Sequence, residues 1–296
     1  MTAQSSCDDA DAGSYVPTTG QTNQTDCGIG TYQNATGQDS CDDADAGSFV
    51  PITGQTNQTD CAIGTYQAST GQSSCVDADA GNYVDQTGQS SQSACSAGTY
   101  QSDTGQDGCD DADVGSYVPV TGQTSQTDCA TGTYQASTGQ TSCDDADAGH
   151  YVDQTGQSTQ TACSTGYYQS ATGQNSCDEA DDGHYVPTTG QTSETACLVG
   201  TYQADTGQDD CDNAEAGHYV DQAGQSQQSE CPAGAYQEYT GQEWCDYADA
   251  GNYVDQSGQS EQTECSAGTY QALTSQTSCD DASAGYYVDQ IGQSEQ

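Results

Sequence analysis

The side chains whose type and spacing could do chemistry are thiols. They stand at Cys7, Cys27, Cys41, Cys61, Cys75, Cys95, Cys109, Cys129, Cys143, Cys163, Cys177, Cys197, Cys211, Cys231, Cys245, Cys265 and Cys279, a longer and a shorter spacing in strict alternation, with no insertion or deletion. Thiols set out this regularly, with no catalytic context beside them, read as a disulfide framework and imply an oxidising compartment outside the cytosol. Two local pairings are open. Joining across the shorter spacing gives Cys27–Cys41, Cys61–Cys75, Cys95–Cys109, Cys129–Cys143, Cys163–Cys177, Cys197–Cys211, Cys231–Cys245 and Cys265–Cys279, and leaves Cys7 over. Joining across the longer spacing leaves Cys279 over instead. Loop entropy is roughly 3 kcal/mol either way and does not choose. The shorter loop ties a single tyrosine-centred hairpin together, so it is the expected one.

Carboxylates form the second recurring set. An acidic leader follows every other cysteine, as in Asp8-Asp9-Ala10-Asp11 and Asp42-Asp43-Ala44-Asp45. Alternating acids before a glycine suit a hard cation such as Ca²⁺. The candidate ligands are Asp9, Asp11, Asp43, Asp45, Asp77, Asp79, Asp111, Asp113, Asp145 and Asp147. The register is not that of an EF-hand, because Ala44 falls where a third-position oxygen ligand belongs. The competing reading is a solvated acidic turn with diffuse counter-ions. His150, His184 and His218 recur one unit apart and read as a polar surface position, since ligands so far apart cannot share one ion. Asn23, Asn34 and Asn57 each open an Asn-x-Thr sequon, a candidate glycan acceptor in an exported chain. No nucleophile, base and orienting group occur together, and no phosphate-binding glycine loop is present, so we expect no enzyme.

Charge narrows the partners. The chain has no Lys or Arg against 45 acids, a formal net charge of −45. Phosphate neutralisation, and hence nucleic-acid binding, is excluded on that count, and adhesion to anionic lipid is disfavoured. No apolar run approaches the length of a membrane helix, so no membrane insertion is expected. Residues 1–4 carry neither the basic nor the apolar part of a signal peptide, and the repeat starts and stops in mid-unit, so we expect a segment or processed form of a longer exported protein.

Positioning these groups falls to a repeat. The cysteine grid has a 34-residue period, which divides the chain into a leading piece (1–6), eight units (7–40, 41–74, 75–108, 109–142, 143–176, 177–210, 211–244 and 245–278) and a trailing piece (279–296). Each unit has a long and a short half with one plan: Cys, an acidic or small leader, Gly, one variable residue, an aromatic, then a turn ending in Gly-Gln. The segment Gly-Thr-Tyr-Gln, a few turn residues and Gly-Gln-Thr-Ser reads as a small β-hairpin with the glycine at positive φ. Only 31% of residues are hydrophobic, and Trp, Phe and Met occur once each. Such a chain cannot bury a sizeable core, so disulfides must stand in for one. The tyrosines, from Tyr15 and Tyr32 onward, are the expected source of what apolar packing there is. The expected fold is mainly β: an elongated array of disulfide-stapled hairpins with no helix and no single core.

The short-half pattern C-xxG-T-Y-Q-xxTGQ-xx-C, as in Cys129 to Cys143, resembles the ephrin-receptor-like cysteine-rich repeat, a relative of the tumour-necrosis-factor-receptor modules. That resemblance implies strings of disulfide-tied hairpins in an extracellular protein. The family joins its modules through a C-x-x-C pair, whereas each junction here has one cysteine. Long arrays of this kind also resemble surface and fibril proteins of aquatic microbes. The expected function is structural: a glycosylated extracellular filament, fibril, sheath or surface stalk that associates with itself. The rival readings are an adhesin or receptor-like binding ectodomain and an acidic calcium-binding matrix protein.

Overall fold

The computed structural model describes residues 7–296. Contacts divide them into two compact units, one running to Asp144 with Thr155–Thr159 added, the other comprising Asp145–Gln154 and Gln160–Gln296. Both are built from strands of two residues joined in antiparallel pairs, and no helix occurs among the described residues. In the first unit β1 (Ser14–Tyr15) pairs with β2 (Thr25–Asp26), β3 (Thr31–Tyr32) with β4 (Asp42–Asp43), and β5 (Ser48–Phe49) with β6 (Thr59–Asp60). The first strands begin at Ser14, Thr31, Ser48 and Thr65, in even steps. The backbone period is therefore half the sequence period. The unequal halves of the sequence arise because cysteine occupies different places in two otherwise equivalent hairpins.

The register corrects one expectation. The return strand of a short-half hairpin is not the Gly-Gln-Thr-Ser stretch before the second cysteine. It is the residue pair after that cysteine, so Thr65–Tyr66 pairs with Val76–Asp77, beyond Cys75. The disulfides do join across the shorter spacing, at all eight expected pairs from Cys27–Cys41 to Cys265–Cys279. Each bridge thus ties the end of one hairpin to the next hairpin, rather than closing a hairpin on itself. Cys61 follows β6, and its partner Cys75 belongs to the following hairpin.

A strand of two residues is too short to hold itself. The hairpins are held by their neighbours. Gly13 N–H donates to the Gln33 carbonyl at 2.8 Å and Val16 N–H to Gln38 at 3.0 Å, which links the first hairpin to the second. Gly54 N–H donates to the Cys27 carbonyl at 2.9 Å, which links the third to the end of the first. The second unit repeats these bonds, with Gly149 N–H to Gln169, Val152 N–H to Gln174 and Gly190 N–H to Cys163.

Close stacking explains the leader glycine. Gly47 has φ +90° in the turn closed by Ser48 N–H on the Asp45 carbonyl. An added Cβ would also overlap the carbonyl oxygen of Gly88, two hairpins on. Positive φ and lack of room both demand glycine there. The loop glycine of the same plan has room. At Gly88 an added Cβ would come no nearer than 3.5 Å to the Asp60 side chain. The one replacement among the described residues, Ser275, falls at this roomier position and has φ 62°.

Small side chains fill the interior. Cys27, Ala44, Cys61 and Ala78 alternate at one position, each fully buried, and Val50 and Val84 are buried at another. The repeating aromatics, expected to supply what apolar packing there is, are half-buried from Tyr15 to Tyr270. What alternates with valine is an amide. Gln33, Gln67 and Gln101 lie buried where the intervening hairpins carry Val. Gln67 Nε2 donates to the Ser74 carbonyl at 2.8 Å, and its Oε1 accepts the Ser69 N–H at 3.1 Å. No buried side-chain polar atom among the described residues lacks a partner.

Candidate functional site

The bridge has a non-covalent counterpart in every second hairpin. Moving Cys27 and Cys41 one structural period along the chain lands on Ala44 and Gln58. Asp45 N–H donates to Gln58 Oε1 at 2.6 Å, and Gln58 Nε2 donates to Asp45 Oδ2 at 2.8 Å. The same pair of bonds joins Asp11 to Gln24, Asp79 to Gln92, Asp113 to Gln126 and Asp147 to Gln160. A glutamine therefore holds the second acid of each candidate calcium pair. Sequence reading passed over these glutamines because Gln is abundant and each partner lies on the far side of a hairpin.

The first acid of each pair goes elsewhere. Asp43 is in β4, opposite Thr31, with its carboxylate against the loop of a later hairpin, where a Cβ on Gly71 would meet it at 3.3 Å. Asp9, Asp77, Asp111 and Asp145 stand the same way against Gly37, Gly105, Gly139 and Gly173. Among the described residues, no group of three or more His, Cys, Asp or Glu side chains converges as metal ligands would.

The histidines occupy a cross-strand position with its own pairing rule. Where the position is Ser, its hydroxyl donates to an aspartate across the hairpin: Ser14 to Asp26, Ser48 to Asp60 and Ser116 to Asp128, each at 2.9 Å. His150 and His184 face Ala162 and Ala196 instead, and His218 faces Glu230. The imidazole Nδ1 of His150, His184 and His218 lies 3.4, 3.2 and 3.4 Å from a backbone carbonyl two residues back. Each is thus a local surface contact, with His184 also 3.9 Å from a Glu194 carboxylate oxygen. Asn23, Asn34 and Asn57 are all exposed, and Asn57 donates from Nδ2 to the neighbouring Thr56 hydroxyl at 3.2 Å.

The second unit has shallow open grooves at equivalent places. One of about 520 Å³ is lined by Tyr151, Asp153, Tyr167, Asn175, Ser176 and Cys177. Three sequence units further on, Tyr253, Asp255, Thr269, Thr277, Ser278 and Cys279 line another of about 370 Å³. Each sets a tyrosine and an aspartate beside a disulfide, with hydroxyls opposite. Partial burial, reinforced by nearby carboxylates, raises the phenol pKa of Tyr168, Tyr202 and Tyr236 above 10.0. With no Lys or Arg in the chain, no fixed cation opposes that trend.

Fold and geometry define a class: a tandem repeat of paired, disulfide-stapled β-hairpins. No protein-family model matches the chain, and no curated protein matches it. Its bridges belong to an oxidising environment, that of a non-cytoplasmic protein. No helix among the described residues is long and apolar enough to cross a membrane.

Proposed function

We propose that this chain is a structural extracellular repeat protein, a strand from which a filament, sheath or surface stalk is built, with glycans on its surface asparagines. One observation carries the reading. Within each compact unit, the bonds that join a hairpin to the next and the next but one recur half period after half period, as at Gly13, Gly30 and Gly47 in the first and Gly149, Gly166 and Gly183 in the second. Stability built from such neighbour terms suits a body of indefinite length. The resemblance of the short halves to ephrin-receptor-like repeats points to the same extracellular setting. Association between copies would use neutral faces or cations, because every copy repels every other through its carboxylates.

Electron microscopy of native, non-reduced material tests this. Ordered filaments with a constant axial repeat are expected, and dispersed single chains under all salt conditions would overturn it. The grooves favour a second reading, a binding ectodomain for neutral ligands such as sugars, because an aromatic ring flanked by hydroxyls and a carboxylate suits a sugar face. A glycan array probed with the oxidised chain separates the two. Calcium uptake by the acidic turns is the third, and calorimetry decides it by whether heat saturates at a fixed number of ions per unit.

A further inference from the structure

One hairpin departs from its equivalents by carrying three exposed aromatics. It is formed by Ala235–Tyr236 and Asp246–Tyr247. Tyr239, Trp244 and Tyr247 are 62, 61 and 68% exposed. Short-half hairpins elsewhere carry Ser69, Ser74 and Asp77, or Asp205, Asp210 and Asn213, at these three positions. Each new aromatic has an acid close before it, in Glu238-Tyr239, Glu243-Trp244 and Asp246-Tyr247. The Glu238 position is acidic in no other unit: Asn34, Ala68, Ser102, Ala136, Ser170, Ala204 and Ala272 stand there.

The scaffold holds these groups together. Buried Gln237 donates from Nε2 to the Trp244 carbonyl at 2.8 Å and accepts the Tyr239 N–H on Oε1 at 2.9 Å. One amide thus clamps both sides of the loop, and the Cys231–Cys245 bridge anchors the residue next to Trp244. Ser275 N–H donates to the Ala248 carbonyl at 2.7 Å, which brings the loop carrying exposed Leu273 up to the end of this hairpin.

Aromatic faces attract cations, and a desolvated guanidinium both stacks on a ring and pairs with a carboxylate. The hairpin exposes three rings, each with an acid just before it in the sequence, and the chain has no Lys or Arg of its own to answer them. A second copy cannot supply the cation for the same reason. A neutral sugar would use the rings and gain no charge pairing from an acid placed before each. We propose that this hairpin docks a basic segment of a partner protein, with arginine or lysine side chains against Tyr239, Trp244 and Tyr247 and paired with Glu238, Glu243 and Asp246. This site is independent of whether the chain forms filaments.

Trp244 is the only tryptophan, so its fluorescence reports on this hairpin alone. The oxidised full chain is titrated at physiological salt with a hexa-arginine peptide, a hexa-glutamine control and a chitin hexasaccharide. A saturable change with hexa-arginine alone is expected. Silence, or a response to the sugar instead, would overturn the proposal. The variant Tyr239→Ser, Trp244→Ser, Tyr247→Asp takes the residues of an equivalent hairpin, so its fold is already precedented, and circular dichroism verifies that it is kept. It is also more negative, so bulk charge attraction predicts equal or tighter binding of labelled hexa-arginine. The proposal predicts binding about ten-fold weaker, from the loss of three ring contacts. Equal or tighter binding by this variant would sink it.

Discussion

The hairpin of Ser48–Phe49 and Thr59–Asp60 and the one after it, Thr65–Tyr66 with Val76–Asp77, share a register and a loop length and differ in their fastening. The later one is held to its predecessor by Cys61–Cys75. The earlier one has Ala44 and Gln58 at those places and relies on two hydrogen bonds to Asp45. Behind the aromatic, the earlier hairpin buries Val50 and the later one buries Gln67. Backbone geometry is therefore independent of the staple. Glycine turns and bonds between hairpins set it, and the sulfur supplies stability that a core of Ala, Val and Cys cannot.

Breaking the covalent side of this comparison should have the largest effect. A closed loop of this length contributes roughly 3 kcal/mol per bridge, so full reduction is expected to unfold the chain at room temperature, read as loss of amide protection from exchange. Persistence of protection in the reduced chain would show that the hydrogen bonds suffice alone. The sharper version exchanges the fastenings. Cys61→Ala with Cys75→Ala should cost roughly 3 kcal/mol, and the borrowed pair (Cys61→Ala, Ala62→Asp and Cys75→Gln together) should restore about 1 kcal/mol of that. Denaturant melts of these variants beside the parent decide this, and no recovery would mean that the Asp–Gln pair is not an equivalent fastening.

The two glycine positions extend the same contrast. Gly47→Ala should cost well over about 2 kcal/mol, because a left-handed conformation and a backbone overlap act together, whereas Gly88→Ala should cost about 1 kcal/mol from conformation alone. Ser275→Gly, the reverse change at a loop position, should stabilise by about 1 kcal/mol. Thermal melts rank the three, and equal costs at Gly47 and Gly88 would remove the stacking contact as a cause. A smaller effect is expected on the non-covalent side: Gln58→Ala should cost about 1 kcal/mol, and faster exchange of the Asp45 N–H would locate it.

The tyrosines provide the smallest effect. Tyr168, Tyr202 and Tyr236 have phenols whose pKa lies above the unfolded value of 10.0. Their protonated form is favoured in the folded state, so this contribution is fully present below pH 10.0 and fades as pH rises through the folded values. Ultraviolet titration of phenolate absorbance should show these phenols ionising after those of the unfolded chain. Coincident titration would remove the effect.

Much of the architecture was legible in the residue order. An unbroken cysteine grid implied a repeat, and sparse apolar content implied that disulfides replace a core. The pairing Cys61–Cys75 was expected because it holds one aromatic turn. The partner of Thr65–Tyr66 was not legible, since Val76–Asp77 reads as part of the next acidic leader. Buried Gln67 was hidden for a related reason: polarity argues for the surface, and only the nearby Ser74 carbonyl and Ser69 N–H make burial tolerable. The acids singled out as cation ligands were visible as a pattern, but their neighbours were not: Asp43 lies against the Gly71 loop and Asp45 is bonded to Gln58.

Residue order alone determined composition, charge, the cysteine period and the turn glycines, because these are local or countable properties. Tertiary structure decided the half-period step of the backbone, the exchange of Cys–Cys for Ala and Gln at one pair of places, and the exposure of Tyr239, Trp244 and Tyr247 on one hairpin whose loop Gln237 clamps. The first two depend on hydrogen bonds between residues in different hairpins or on opposite sides of one. Such bonds form only when neighbouring hairpins stack, and no short window of sequence contains both partners.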